Sequence, residues 1–248
     1  MNAPDHHFVW PNNAKAAISI TFDDTRPTQL DAGIPILDKH NVKGTFYATL
    51  RSLEARADDW LVASQHGHEI ANHTTSHPCT CNFKWSRAAA LEDFTIERME
   101  EDILNANKVI QSLIGVTPTT FAYPCGQTFV GRGQNVKSYV PIVAKHFDVG
   151  RCWRSESMAE PTYCDLAQVA GMQLDAISWE QALTLVNTAV EQGCWLSLVG
   201  HDVRDGGGQA IIPSVLDALC AHCMDPKNNI WLDTVANVGA YVKAKQTH

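Results

Sequence analysis

Residues 16–24 read Ala-Ala-Ile-Ser-Ile-Thr-Phe-Asp-Asp. The run Ala16 to Phe22 predicts a buried strand that stops at Asp23, so two adjacent carboxylates, Asp23 and Asp24, sit where the strand ends. Working outward, Gln29 to His40 has helical spacing at Leu30, Ile34 and Leu37, and Val42 to Ala48 reads as the next strand. Leu53 to Gln65 predicts a second helix, and the longest one runs from about Glu92 to Ile114, with Gly115 placed to end it and Pro118 beyond. Phe121 falls at a strand end, and 123–139, rich in Gly and Pro, reads as a long surface loop. Phe147 to Val149 is a further strand, Ser178 to Gln192 a helix, Cys194 to Gly200 a strand ending at His201, and Asp205 to Gly208 a flexible turn. Asp233 to Lys245 closes the pattern as an amphipathic helix. Short apolar runs alternating with amphipathic stretches predict an α/β fold, a parallel sheet covered by helices, over a single domain spanning 1–248.

Composition narrows the function classes. Of 248 residues 45% are hydrophobic and 19% charged, which supplies a sizeable core and excludes disorder of the whole chain. Asp and Glu number 27 against 19 Lys and Arg, a net charge of −8, and no basic run interrupts the excess, so no nucleic-acid partner is expected. Eight cysteines are too few for a disulfide-stapled scaffold, and free thiols in a reducing compartment are expected. Met1 to Trp10 lacks a basic start followed by an apolar stretch, and no apolar run reaches the roughly 18 residues of a membrane span. A cytoplasmic enzyme is the expectation; the oligomeric state is left open.

Three sites lie just after predicted strands, where a parallel barrel brings distant residues to one face. Asp23 and Asp24 form the first, although either also fits an N-cap of the next helix. The second is 67–78, Gly-His-Glu-Ile-Ala-Asn-His-Thr-Thr-Ser-His-Pro: one helical turn or a tight loop can aim His73 and His77 at one point, and two His with one carboxylate leave an open position on Zn²⁺, as a catalytic site needs. The third is 199–202, Val-Gly-His-Asp, whose His201 alone reads more readily as a hydrogen-bonded core residue than as a catalyst.

Together TFDD at 21–24, HTTSHP at 73–78, FAYPCG at 121–126 and LVGHD at 198–202 resemble the metal-dependent polysaccharide deacetylases, the NodB-like carbohydrate esterase family 4. The resemblance implies a distorted (β/α) barrel of about seven strands and hydrolysis of an acetyl group, on nitrogen or oxygen, from an acetylated glycan or oligosaccharide. Carried over residue by residue, it makes Asp23 the general base, His201 the general acid, and Asp24, His73 and His77 the ligands of Zn²⁺ or another divalent transition metal. It also makes the backbone N–H of Cys125 the donor to the oxyanion, and puts Val199 in the pocket for the acetyl methyl.

Two positions depart from the family pattern. Ala122 stands where an Arg that orients the base is usual; Arg151 either supplies that charge or is an ordinary surface Arg. Ser178 stands where an Asp usually supports the acid, which makes Asp175 the leading candidate to hold His201, while Ser178 with Gln181 also reads as a capping box. Trp179 is a candidate wall of the acetyl pocket, and 151–154, with Trp153, together with 127–135, with Phe129, Arg132 and Gln134, are candidates to line a glycan cleft. Cys79 and Cys81 are read as shaping their loop, Cys220 and Cys223 as packed core thiols. Two rival readings are an amidohydrolase of the same fold acting on a small cyclic amide or ureide, and a non-catalytic glycan-binding module.

Overall fold

Strand β1, Ala16–Asp23, is buried along its whole length in the computed structural model, which describes residues 8–246; the start of the chain, read above for a leader, lies mostly outside that range. Both faces of β1 are covered, as a central parallel strand requires. Ala16, Ile18, Ile20 and Phe22 face the layer of helices, where they meet Leu37, Phe46, Leu196 and Leu216. Alternation then sends Ala17, Ser19, Thr21 and Asp23 to the other face, so the inward positions are small or polar and the last one delivers a carboxylate.

The remaining strands of the main sheet are β2 (Thr45–Ala48), β3 (Glu69–Asn72), β4 (Thr120–Ala122), β5 (Val149–Arg151), β6 (Gly171–Gln173), β7 (Trp195–Gly200) and β8 (Ile230–Leu232). Their order is β5-β4-β3-β2-β1-β7-β6, all parallel, with β8 beside the first half of β1. The two outer edges nearly meet: Val169, just before β6, donates its N–H to Gly150 O at 2.7 Å and accepts from Cys152 N at 2.8 Å. The result is a nearly closed barrel of seven strands, so the strand ends converge on one mouth.

Helices α1 (Ile34–Lys39), α2 (Leu50–Ala55), α3 (Ala57–Gln65), α4 (Ile96–Ile114), α5 (Val140–His146), α6 (Trp179–Gln192), α7 (Pro213–Met224) and α8 (Val235–Lys245) follow in sequence. In α4 a buried stripe of Met99, Ile103, Ala106, Ile110 and Ile114 follows the 3.6-residue period, Thr95 caps the first turn, and Gly115 at φ 69° ends it. It starts four residues later than expected, because 91–93 form a separate turn. The expected helix Leu53 to Gln65 is two helices. The break at Arg56 (φ −141°, ψ 42°) coincides with no Gly or Pro and is held by Arg56 bonding Asp59 at 2.7 Å and Asp31 at 2.5 Å. Gln29–Gly33 is a wide π turn rather than the start of α1. The segment 123–139 is only partly a surface loop: it folds into a small hairpin, 129–130 against 137–138, with Tyr123, Val130 and Tyr139 in the core. Cys220 and Cys223 lie in the core on α7, as expected. No helix among the described residues is long and apolar enough to cross a membrane.

Candidate active site

Asp23, Asp24, His73, His77, Cys125, Trp153 and His201 line one cleft at the barrel mouth, of about 640 Å³. The backbone is forced at several of these positions: Asp24, Thr25, Thr74, His77, Cys125 and Arg154 all have φ between 47° and 76°. Such conformations cost about 1–3 kcal/mol each for a residue with a Cβ, and the surroundings must hold them. Around Asp24 they do so visibly: its N–H donates to Tyr47 O at 2.9 Å, and its carbonyl accepts from the Thr49 hydroxyl at 2.8 Å.

His73 and His77 occupy a tight loop after β3, not a helical turn. Asn72 anchors its start, donating from Nδ2 to Ile103 O and Asn107 Oδ1 on α4 and accepting from Thr74 N at 2.7 Å. Asp102 of α4 accepts the N–H groups of Thr75 and Ser76, and the Thr74 hydroxyl accepts from His77 N at 3.0 Å. His73 donates from Nδ1 to the Ala122 carbonyl at 2.9 Å, which fixes the tautomer and leaves the Nε2 lone pair facing the cleft. Burial pushes its pKa down to about 4, so the ring is neutral at pH 7. His77 Nε2 lies 3.5 Å and His73 Nε2 3.9 Å from Asp24 Oδ1.

Those three donor atoms lie within 4.8 Å of one another. Ligands at about 2.0–2.1 Å from a tetrahedral ion stand roughly 3.3 Å apart, so a small inward adjustment suffices. Burial raises the Asp24 carboxyl, but the charges of His73, His77, His201 and Arg26 outweigh it and hold the pKa below the usual carboxylate value. Arg26 takes only Oδ2, at 2.9 Å, while also bonding Asp202 at 3.0 Å and Gln209 at 3.1 Å. Oδ1 is left to the histidines. Neutral imidazole, carboxylate oxygen and an open side fit a divalent transition ion.

Two further pairs flank that set. Arg151 ends β5 with its side chain buried inside the barrel, its guanidinium bonding Asp23 Oδ1 and lying over the Tyr47 ring. Of the two readings of this residue, the surface Arg is therefore excluded. Asp175 grips His201 twice, accepting the backbone N–H on Oδ1 at 2.9 Å and the ring Nδ1 on Oδ2 at 2.5 Å. Burial lowers the His201 pKa, but the Asp175 hydrogen bond and the charges of Asp23, Asp175 and Asp24 outweigh it, so the net shift is upward. Ser178 does what a capping residue does: it and Gln181 form a complete capping box on α6.

Several expected site residues lie elsewhere. Trp179 does not line the cleft; at the start of α6 its ring meets His222 at 5.7 Å. Val199 is fully buried beside Thr21 within the barrel wall, below the lining residues. Phe129, Arg132 and Gln134 are not on the cleft either: the hairpin packs Phe129 against the neighbouring core, and Arg132 pairs with Asp93 at 3.1 Å. Trp153 does line it, edge-on to His201 at 5.8 Å.

The sequence reading missed other parts. Gln29 is buried and donates to both Asp23 O (2.6 Å) and His201 O (2.9 Å), tying the ends of β1 and β7. Cys79 and Cys125 form a disulfide, with Cα atoms 6.1 Å apart, a pairing the sequence reading does not anticipate; the other six cysteines are free, in line with the free thiols expected. A usable signal existed, since each of the two cysteines borders a motif placed at the same cleft. Arg26, Gln209, Phe83 and Trp85 also line it, and nothing local in the sequence marks them.

Residues 11–139 match the polysaccharide deacetylases, and the chain belongs to that family. A peptidoglycan-N-acetylglucosamine deacetylase of Bacillus cereus is 32% identical over 123 residues, 48% of this chain and 40% of that protein. The chain covers 40% or less of the length of each of the curated relatives it matches. Among solved structures, a candidate polysaccharide deacetylase of Mycobacterium smegmatis superposes with a TM-score of 0.70 at 15% identity, covering 99% of this chain and 96% of the other. A family 4 acetyl xylan esterase of Clostridium thermocellum, in complex with a cobalt ion, gives 0.59 at 21% identity over 91% of each. The fold is thereby that of the NodB deacetylases.

Proposed function

We propose that this chain hydrolyses acetyl groups from an acetylated glycan, with N-acetylated hexosamine as the preferred substrate. The observation that carries the reading is the pairing of Asp23 with Arg151 and of His201 with Asp175 on either side of the Asp24, His73 and His77 set, all in one cleft. Asp24 Oδ1 and the Nε2 atoms of His73 and His77 would hold a divalent ion, Zn²⁺ or a similar transition metal. When bound, such an ion would lower the pKa of a water molecule to about 7 and polarise a carbonyl oxygen.

The protein's own groups do the rest. Arg151 occupies Oδ1 of Asp23 and orients the carboxylate, so Oδ2, 4.0 Å from His73 Nε2, is the oxygen that accepts the proton of an attacking water. The Cys125 N–H donates to the acyl oxygen as it gains charge, and loss of one such donor typically costs about 2.7–4 kcal/mol. His201, held by Asp175 through Nδ1, keeps its Nε2 proton for the leaving group. An amine leaves far more readily once protonated, which is why a histidine with a raised pKa suits an amide substrate. The Bacillus cereus relative is named for N-acetylglucosamine in peptidoglycan, which supports an N-acetylated sugar as the substrate of this chain.

Acetate release from chitin oligomers, peptidoglycan and acetylated xylan, with and without chelator, tests the reading. We expect release from an N-acetylated substrate, loss with chelator, and a fall of about 10²-fold or more in Asp23→Asn with metal still bound. Full turnover in Asp23→Asn removes Asp23 as the base, and no release from any of the three overturns the function.

A further inference from the structure

Arg26 stands two residues past Asp24 at the mouth of the barrel, and no step of the proposed reaction uses it. Its guanidinium is nonetheless fully engaged. Nε at 3.2 Å and Nη2 at 2.9 Å both donate to Asp24 Oδ2, Nη1 donates to Asp202 Oδ2 at 3.0 Å, and Nη2 also donates to Gln209 Oε1 at 3.1 Å. The Arg26 side chain is 25% exposed, that of Asp24 20% and that of Asp202 16%. An isolated surface ion pair contributes little to stability, but a planar fork held by three partners has a fixed direction.

The partners of Arg26 are themselves anchored. Asp202 accepts from the Thr28 hydroxyl on Oδ1 at 2.8 Å, and Thr28 Oγ1 in turn accepts from Val203 N at 3.0 Å. Residues 202–203 pair with 210–211, and the backbone carbonyl of Gln209 accepts from Asp202 N at 3.2 Å. Arg26 thus joins the end of β1 to the segment after His201 and to the chain that returns beside it.

The consequence falls on Asp24. Because Arg26 takes Oδ2, only Oδ1 faces the histidines, 3.9 Å from His73 Nε2 and 3.5 Å from His77 Nε2. A carboxylate can present one oxygen or both to a cation. If both are used, one position fewer is left for a water or an acyl oxygen, and a catalytic site needs that position open. The positive charge of Arg26 beside Asp24 also opposes that of a cation held there, which lowers its affinity.

We infer that Arg26 is a positioning residue that confines Asp24 to one donor oxygen, so that the cation site keeps room for water and an acyl oxygen. The inference rests on the deacetylase reading for the use made of that room; the hold on Asp24 is independent of any substrate.

The test measures Zn²⁺ binding by calorimetry, the visible absorption of bound Co²⁺, and kcat on an N-acetylglucosamine tetramer at saturating Zn²⁺, in wild type, Arg26→Met and Arg26→Lys. A merely structural role for Arg26 predicts weaker Zn²⁺ binding and slower turnover together. The inference predicts the opposite sign for binding: Arg26→Met should bind Zn²⁺ about threefold more tightly or better, with kcat down about tenfold or more and KM within about threefold of wild type. The Co²⁺ absorption, which weakens as donors are added, should fall in the same variant. Arg26→Lys keeps the charge but not the fork, so its Zn²⁺ Kd should stay within about twofold of wild type while the Co²⁺ absorption still falls. If Arg26→Met does not fold, Arg26→Lys carries the test, and an unchanged Co²⁺ absorption in it overturns the inference. In a folded Arg26→Met, a Kd that is unchanged or weaker, an unchanged Co²⁺ absorption or an unchanged kcat overturns it. If the wild type releases no acetate but Arg26→Met shows both ion effects, the hold on Asp24 stands and the deacetylase reading falls. If the wild type binds neither ion, the inference falls with the metal site.

Discussion

At the residue scale, Asp175 is the departure from the family pattern with the clearest consequence. Because it contacts both the backbone and the ring of His201, it sets the ring's orientation as well as its charge. A carboxylate favours the imidazolium and an amide does not, so Asp175→Asn, which keeps the shape, removes the Asp175 share of the upward influence on the His201 pKa and leaves that of Asp23 and Asp24. A general acid works only while protonated, and activity is lost as pH rises through its pKa. The high-pH limb of the kcat profile should therefore move to lower pH in Asp175→Asn, with kcat at pH 8 down by about 10- to 100-fold. A profile that does not move would remove Asp175 from the mechanism. Arg151 belongs to the same scale: it reaches Asp23 from the neighbourhood of Ala122, since β4 and β5 are paired with Ala122 opposite Arg151. The charge missing from one strand is supplied one strand over. That Arg151 ends a strand was partly legible, because the apolar run before it predicts one; that it points inward was not, because register decides it.

At the scale of elements, two ties hold the mouth and the floor of the barrel. The Cys79–Cys125 bond closes a loop across 46 positions and joins the segment after His77 to the one that carries the Cys125 N–H. A crosslink of that span contributes about 2–4 kcal/mol by restricting the unfolded chain. A dithiol reductant should lower the melting temperature and turnover together, with free thiols rising from six to eight, and should do neither in Cys79→Ser/Cys125→Ser. An unchanged melting temperature with eight thiols exposed would refute the tie. At the floor, Glu69 begins β3, half-buried, and accepts from the hydroxyls of Thr120 and Thr45 and from Ala236 N of α8. Burial raises its pKa, and the three donors only partly offset this. Glu69→Ala strands those donors in the interior and should cost about 3 kcal/mol in urea unfolding, far from the cleft; a loss under about 0.5 kcal/mol would show the tie to be idle. Neither tie is visible in local sequence, since both join segments far apart. The capping box of α6 is, because Ser178 and Gln181 lie within one turn. The split between α2 and α3 is not, because Arg56 is turned by partners outside both helices' apolar pattern.

At the scale of the whole molecule, the strand alternation read from β1 anticipates a barrel whose mouth gathers Asp23, Asp24, His73, His77 and His201, since parallel strands all end on one side. What alternation cannot specify is which loop folds over that mouth, so Phe83 and Trp85 are not legible in it; Trp179 and Val199 are expected at the cleft from the family resemblance alone, and neither lines it. The same geometry bears on stability. Asp24 follows β1 and the two histidines follow β3, with β2 between them, and two of the three ligand positions hold left-handed backbones. An ion bound by all three joins segments that otherwise share no covalent tie there, and a ligand that binds only the folded state stabilises it by RT ln(1 + [L]/Kd). At a hundredfold excess over Kd that is about 2.7 kcal/mol, or roughly 5–10 °C in the melting temperature of a chain of this size. Zn²⁺ should therefore raise the melting temperature of the wild type and chelator should reverse it, in the absence of any substrate. His77→Ala keeps the barrel but removes one of three donors and should lose most of the shift. An equal shift in His77→Ala places the ion elsewhere, and no shift in the wild type means that the three side chains do not act as a metal site.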